Sequence, residues 1–220
     1  MVDPIIKSDQ GVTLVGSGGL GEADLALALA RAPLLAAADG GARAALSAGH
    51  LPAAVIGDFD SLSPEDQARI PAERCFVIAE QETTDFDKAL ARIAAPLVLA
   101  VGLLGGRMDH QLAALNTLVR HAHRRCVLIG AAEVIFHVPP RLDLALQPDD
   151  VVSLFPLAPV RGRSTGLHWP IDGLDLAPDG RVGTSNRAAG RVGLQVDGPG
   201  LLVMVPRRAL DEVLIALQPG

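Results

Sequence analysis

The chain has 220 residues, 49% of them hydrophobic, with one tryptophan, no tyrosine and a formal net charge of −6. That length holds one α/β domain or two small ones around a buried core. Scarce aromatic side chains argue against a stacking surface for single-stranded nucleic acid, and the acidic balance against general attraction to DNA or anionic membrane.

The opening MVDPIIKSDQ lacks the basic and apolar regions of a signal peptide, and every apolar run is broken well short of a membrane span. A cytoplasmic location is therefore expected. Up to about residue 138, strands and helices are expected to alternate. The apolar pieces Val12–Val15, Leu34–Ala38, Ala53–Ile56, Cys75–Ile78, Leu97–Val101 and Cys126–Ile129 read as buried strands. Helical pieces lie between them at Glu22–Ala32, Gly41–Ala48, Asp85–Ile93 and Asp109–His121, the last with Leu112, Leu115 and Val119 on its expected buried side. This cadence favours a parallel sheet covered on both faces. After HVPPR the grammar changes. Short segments around Leu142–Leu146, Val151–Pro156, Gly166–Trp169, Gly183–Ser185, Arg191–Gln195 and Leu201–Val205 are separated by turns such as PDD and DGPG. They predict an antiparallel sandwich or barrel. The expected boundary divides residues 1–138 from 139–220. Cys75 and Cys126 each begin a β-like run and read as core thiols rather than a disulfide.

Acidic residues recur where apolar runs stop. Asp39 precedes two glycines, which permit a tight turn and close approach of a ligand to backbone N–H groups. In GDFDS, residues 57–61, Asp58 and Asp60 alternate in a tight loop and can turn hard oxygen ligands toward one cation. Ser63, with Asp66 three residues on, has capping-box spacing. In ETTDFDKAL, Thr84 is an expected N-cap and Asp85 opens the helix, where the helix dipole explains it as well as function does. Lys88 reads either as a phosphate contact or as a free surface lysine. In GGRMDH, Arg107 offers a planar fork for phosphate, while Asp109 reads equally as a helix cap and His110 as a structural residue. Gly16-Ser17-Gly18-Gly19 fits neither the Rossmann nor the P-loop pattern. From the residues alone, a magnesium-dependent phosphatase using Asp58 and Asp60, or a nucleotide-binding module without catalysis, stands beside a phosphotransferase.

Taken together, ADGGA at 38–42, IGDFDSL at 56–62, TTDFDKAL at 83–90, GGRMDH at 105–110, STGLHWPI at 164–171 and TSN at 184–186 closely resemble the thiamine pyrophosphokinase family. The resemblance implies an α/β fold: an N-terminal three-layer parallel-sheet catalytic domain and a C-terminal antiparallel β-sandwich that contributes to thiamine binding in a homodimer. It implies transfer of diphosphate from ATP, with Mg2+, to thiamine, releasing AMP. By motif position Asp58, Asp60, Asp85, Arg107 and Asp109 become catalytic candidates, with Asp58, Asp60 and Asp85 as metal ligands. Asp39, Gly40, Asp109 and His110 become nucleotide candidates, and Trp169, Ser185 and Asn186 match the thiamine segment. Glu82-Thr83-Thr84-Asp85 departs from the family's Asp-X-Thr-Asp by one methylene at its first position.

Overall fold

The computed structural model describes residues 2–218. The chain divides into two compact units: one takes the described residues of Met1–Thr117 with Leu128–Gly130, the other Leu118–Val127 with the described residues of Ala131–Gly220.

The first unit begins with a two-residue strand, β1 (Ile6–Lys7). Its main sheet uses β2 (Val12–Val15), β3 (Leu34–Ala38), β4 (Ala54–Gly57) and β5 (Cys75–Val77), joined through α1 (Asp24–Leu29), α2 (Gly41–Ser47) and α3 (Pro64–Ala68). After α4 (Asp85–Ala91), β6 (Ile93–Ala94) pairs in parallel with β1, and β7 (Val98–Val101) returns to lie beside β2. The main sheet is parallel in the order β7-β2-β3-β4-β5, with Val12 opposite both Leu34 and Val98. Every residue of β2, β4 and β7 is buried, as continuous apolar runs require when both faces are covered. The strand order reverses between β2 and β7, the switch point at which open parallel sheets form a crevice at their carboxyl ends. The β1–β6 pair had no signal in the sequence, since two residues show no periodicity.

Helix α5 (Met108–Arg120) gives its first ten residues to the first unit and its last three to the second, and of β8 (Cys126–Ile129) the first unit takes Leu128 and Ile129. The expected buried side of α5 is corrected: Leu112 is 58% exposed, and the buried positions are Ala114, Thr117 and Leu118. Two apolar stripes overlap on this helix, and alanine and threonine hide the one that packs. Cys126 is buried and Cys75 half-buried, both free thiols.

In the second unit, β9 (Glu133–His137), β10 (Arg141–Ala145), β11 (Val151–Pro156), β12 (Gly162–Leu167), β13 (Gly183–Val196) and β14 (Leu201–Pro206) pair antiparallel. The order β9-β14-β11-β13 uses the start of β13, from Gly183 to Arg187. Its later part, Arg191–Gln195, pairs with β10 and β12 instead. The two short strands expected around TSN and RVGLQ are thus one long strand. Alternation is clean in β10, where Leu142 and Leu144 are buried between exposed neighbours. The chain then forms a helix, α6 (Leu210–Ala216), that no turn pattern had suggested. Buried Asp150 is paired with Arg208 and accepts the Gln147 N–H at 3.0 Å. Among the described residues no helix is long and apolar enough to cross a membrane.

Because Leu118 is 2% exposed and Leu112 is not packed, Leu118→Ala is expected to destabilise by about 2–5 kcal/mol, and Leu112→Ala by no more than about 0.5 kcal/mol. Urea denaturation of the two variants checks the difference.

Candidate active site

Three loops at the carboxyl ends of β2, β3 and β4 meet through glycine. A Cβ on Gly41 would lie 2.1 Å from the Val15 carbonyl oxygen, and one on Gly57 only 2.6 Å from the Asp39 Cβ, so neither position admits a side chain. Gly18 donates to the Gly102 carbonyl at 2.7 Å, bringing the loops after β2 and β7 together at the switch point. Gly40 sits between Ser17 and Ser61, so that its backbone forms part of the same rim.

Asp39 ends β3 with φ +39°, a left-handed conformation that aspartate tolerates. It is 1% exposed. Its Oδ2 accepts the Ser61 N–H at 3.1 Å, whereas Oδ1 is buried with no hydrogen-bond partner among the described residues. Burial pushes its carboxyl pKa up, the Ser61 N–H opposes this, and the Asp85 charge adds to the rise. After β4, Phe59 takes φ +65° and turns the loop so that Asp58 and Asp60 come to the same side. One oxygen from each of Asp39, Asp58 and Asp60 lies within 4.8 Å of the others. Asp60 Oδ1 accepts from Ser61 Oγ at 2.9 Å. Such an oxygen-only group suits a hard divalent cation.

Asp85 opens α4, whose Thr84 Oγ1 accepts from the Asp87 N–H at 3.4 Å. It does not join that group of three. It turns Oδ1 to the Lys88 ammonium at 3.2 Å, while the same ammonium donates to Asp58 Oδ2 at 2.8 Å. The reading of a free surface lysine at position 88 is overturned, because Lys88 is 2% exposed and donates to two carboxylates. The Lys88 hydrogen bond holds the Asp58 carboxyl below the usual range, against its burial. Burial raises the Asp85 carboxyl; Lys88 opposes this and the Asp58 and Asp60 charges reinforce it. For Lys88 itself, burial pulls its pKa down, but the two carboxylates more than offset that and the net direction is up. Gln81 adds a donor to Asp58 Oδ2 at 3.2 Å. Gln81 was not picked out by sequence, and Lys88 was not read as the partner of these carboxylates, although Asp85 and Lys88 stand at i,i+3. Glu82 is exposed, and its backbone N–H donates to Glu80 at 2.7 Å.

Arg107, Asp109 and His110 are exposed at the start of α5, apart from the group of three. The Arg107 fork meets Asp109 at 3.1 and 2.5 Å, which holds the Asp109 carboxyl low and the guanidinium high. The helix starts at Met108, so Asp109 lies in its first turn rather than capping it.

In the second unit, Asn186 is buried and locks the segment around Trp169. Its Nδ2 donates to the Trp169 carbonyl at 2.7 Å, and its Oδ1 accepts the N–H groups of Trp169 and Arg187 at 3.2 and 2.8 Å. Trp169 is 59% exposed and lies 6.1 Å, ring to ring, from His168. With Ile171, Leu174, Leu176 and Val182 it lines a cavity of about 210 Å³ that Asn186 also reaches. Ser185 takes φ +61° and its N–H donates to Ser153 Oγ at 3.0 Å, within β13 rather than at the turn TSN suggests.

Residues 25–129 match the model of the thiamin pyrophosphokinase catalytic domain, and residues 133–200 that of the thiamin pyrophosphokinase vitamin B1 binding domain. Thiamine pyrophosphokinase 1 of Oryza sativa subsp. japonica is 28% identical over 156 residues, 62% of this chain; the match spans 59% of the rice protein's length. Thiamine pyrophosphokinase of Bacillus subtilis (strain 168) is 27% identical over 181 residues, covering 76% of this chain and 84% of that protein. In fold, the chain is similar to a Bacillus subtilis thiamine pyrophosphokinase structure, with TM-score 0.71, 24% identity and coverage of 90% and 98% of the two chains. The yeast thiamin pyrophosphokinase structure superposes with TM-score 0.74 at 16% identity, covering 96% of this chain and 90% of that one. With both domain models matched in sequence order and Asp39, Asp58 and Asp60 gathered at the carboxyl ends of β3 and β4, the chain belongs to the thiamine pyrophosphokinase family.

Proposed function

We propose that this chain is a thiamine diphosphokinase, transferring the diphosphate group of ATP to thiamine to give thiamine diphosphate and AMP. The observation that carries the reading is the convergence of Asp39, Asp58 and Asp60 beside glycine loops at the carboxyl end of the parallel sheet. The cation is Mg2+. The buried, unpartnered Oδ1 of Asp39 fits that role, since a carboxylate oxygen shut away from water needs a partner. Asp58 and Asp60 join it as ligands, and Asp85 acts from beside them. Bound Mg2+ supplies positive charge that offsets the triphosphate.

Residues 1–138 hold the nucleotide and residues 139–220 the vitamin. Gly40 presents backbone to the nucleotide, and Arg107, Asp109 and His110 contact it, with the Arg107 fork clamping phosphate oxygens. The thiamine hydroxyl attacks the β-phosphorus in line and gives up its proton; the new P–O bond forms as the bond from the β-phosphorus to the bridging oxygen breaks, and AMP departs with that oxygen. The residues contribute chiefly position and charge, as is usual in phosphoryl chemistry. Trp169, Ser185 and Asn186 form the thiamine pocket, where the exposed indole face suits a cationic heteroaromatic ring.

The finer architecture is a three-layer α/β part and a β-sandwich. Right-handed crossovers favour α1, α2 and α3 on one face of the parallel sheet and α4, on the returning connection, on the other. The sandwich is supported by β13, whose two halves serve different strand sets. The enzyme acts as a cytoplasmic homodimer, without nucleic acid or membrane; exposed Val151, Trp169 and Val182 are apolar surface that a second copy can cover.

Incubation with ATP, thiamine and MgCl2 is expected to yield AMP and thiamine diphosphate in equal amounts, and EDTA to abolish both. Phosphate release without AMP would overturn the reading in favour of a phosphatase. Asp58→Asn is expected to lower kcat/KM for AMP formation by about 100-fold or more, with the fold retained by circular dichroism. Trp169→Ala is expected to raise the KM for thiamine by roughly 3–30-fold while leaving that for ATP unchanged, read from initial rates.

A further inference from the structure

The buried ammonium of Lys88 donates to two carboxylates, those of Asp58 and Asp85, and the first belongs to the group of three. Ordering a lysine side chain and stripping its water is costly, and such a group is retained where its charge is used. Its two contacts divide the oxygens of Asp58. Oδ2 is taken by Lys88 at 2.8 Å and Gln81 at 3.2 Å. Oδ1 faces only the Asp60 N–H at a long 3.4 Å, on the loop that also carries Asp60. The second contact, to Asp85 Oδ1 at 3.2 Å, fastens the first turn of α4 to the loop after β4.

We infer that Lys88 is a positioning residue: by holding Asp58 through Oδ2 and Asp85 through Oδ1, it leaves Asp58 Oδ1 as the oxygen offered to a divalent cation and limits how tightly the acidic group binds that cation. Resting on the proposed cation site, this adds the division of labour within it. Asp39, Asp58, Asp60 and Asp85 carry four negative charges when ionised, and Lys88 cancels one of them internally. Without that cancellation the cation is held more tightly. Asp58 is then free to turn, and the oxygen geometry around the cation changes. A site that must accept and release a cation with each nucleotide is better served by the weaker, more defined arrangement.

The test is a titration of thermal unfolding with MgCl2 at pH 8, in the absence of ATP and thiamine, for wild type, Lys88→Met and Lys88→Arg. Lys88→Met is expected to shift the Mg2+ midpoint to concentrations about tenfold lower, with kcat for AMP formation reduced about tenfold or more. Lys88→Arg, which keeps the charge, is expected to stay within about threefold of the wild-type midpoint. A purely structural lysine would lower the melting temperature without moving the midpoint, and that result overturns the inference. Wild type without any Mg2+ response removes the cation site and the inference together; a responding wild type with an unmoved Lys88→Met removes the inference alone. Should Lys88→Met be unfolded without Mg2+, Lys88→Gln is measured in parallel. Recovery of both variants by Mg2+ supports the charge-balancing role, and failure of both with and without Mg2+ overturns it.

Discussion

Like-charge repulsion is the constraint around which the first unit is organised. Four aspartates stand at the ends of neighbouring elements, and the fold brings three of them within 4.8 Å of one another. Repulsion at such distances is costly wherever water is excluded, as it is around Asp39 and Lys88. The ammonium bridging Asp58 and Asp85 offsets part of it, and the Ser61 N–H offsets another part at Asp39. The carboxyls of Asp39 and Asp85 are both pushed above the ordinary range, chiefly by burial and in smaller part by the neighbouring carboxylates. A rim that retains uncompensated carboxylate in this way is prepared for a cation.

The backbone makes that concentration possible. Asp39 and Phe59 adopt positive φ, and Gly41 and Gly57 stand where any side chain would strike Val15 or Asp39. Two positions without a side chain and two residues in the left-handed region are the means by which the chain turns sharply after β3 and β4. The same economy appears at the switch point, where the loops after β2 and β7 are tied by the Gly18–Gly102 hydrogen bond. Glycine at these places is therefore part of the site, although it contributes no chemical group.

The second unit solves a different problem. Asn186 makes three hydrogen bonds to the backbone of Trp169 and Arg187, so the indole is held exposed beside an apolar cavity without itself being buried. A buried amide held by three such bonds is fixed in place. That rigidity comes from a position that reads as a turn in isolation, the fourth in a strand of fourteen residues. The register shift between Val152 and Leu154 absorbs the positive φ of Ser185, so the strand continues.

Much of this was legible in the chain itself. Continuous apolar runs ended by Asp-Gly-Gly and Gly-Asp-Phe-Asp-Ser mark parallel strands with acidic carboxyl ends, because strand burial and turn chemistry are local properties. Thr84 and Ser63 announce their helices for the same reason, each accepting a backbone N–H three residues on. What periodicity cannot decide is which of two overlapping stripes packs, and on α5 Ala114 and Leu118 are buried while Leu112 faces outward. Nor can it tell a surface lysine from a buried one: Lys88 is buried, and its ammonium meets Asp58, thirty residues earlier in the chain. Local composition determined the strands, the caps and the identity of the acids; long-range packing alone decided which oxygens face one another, since proximity between distant residues is a property of the folded chain.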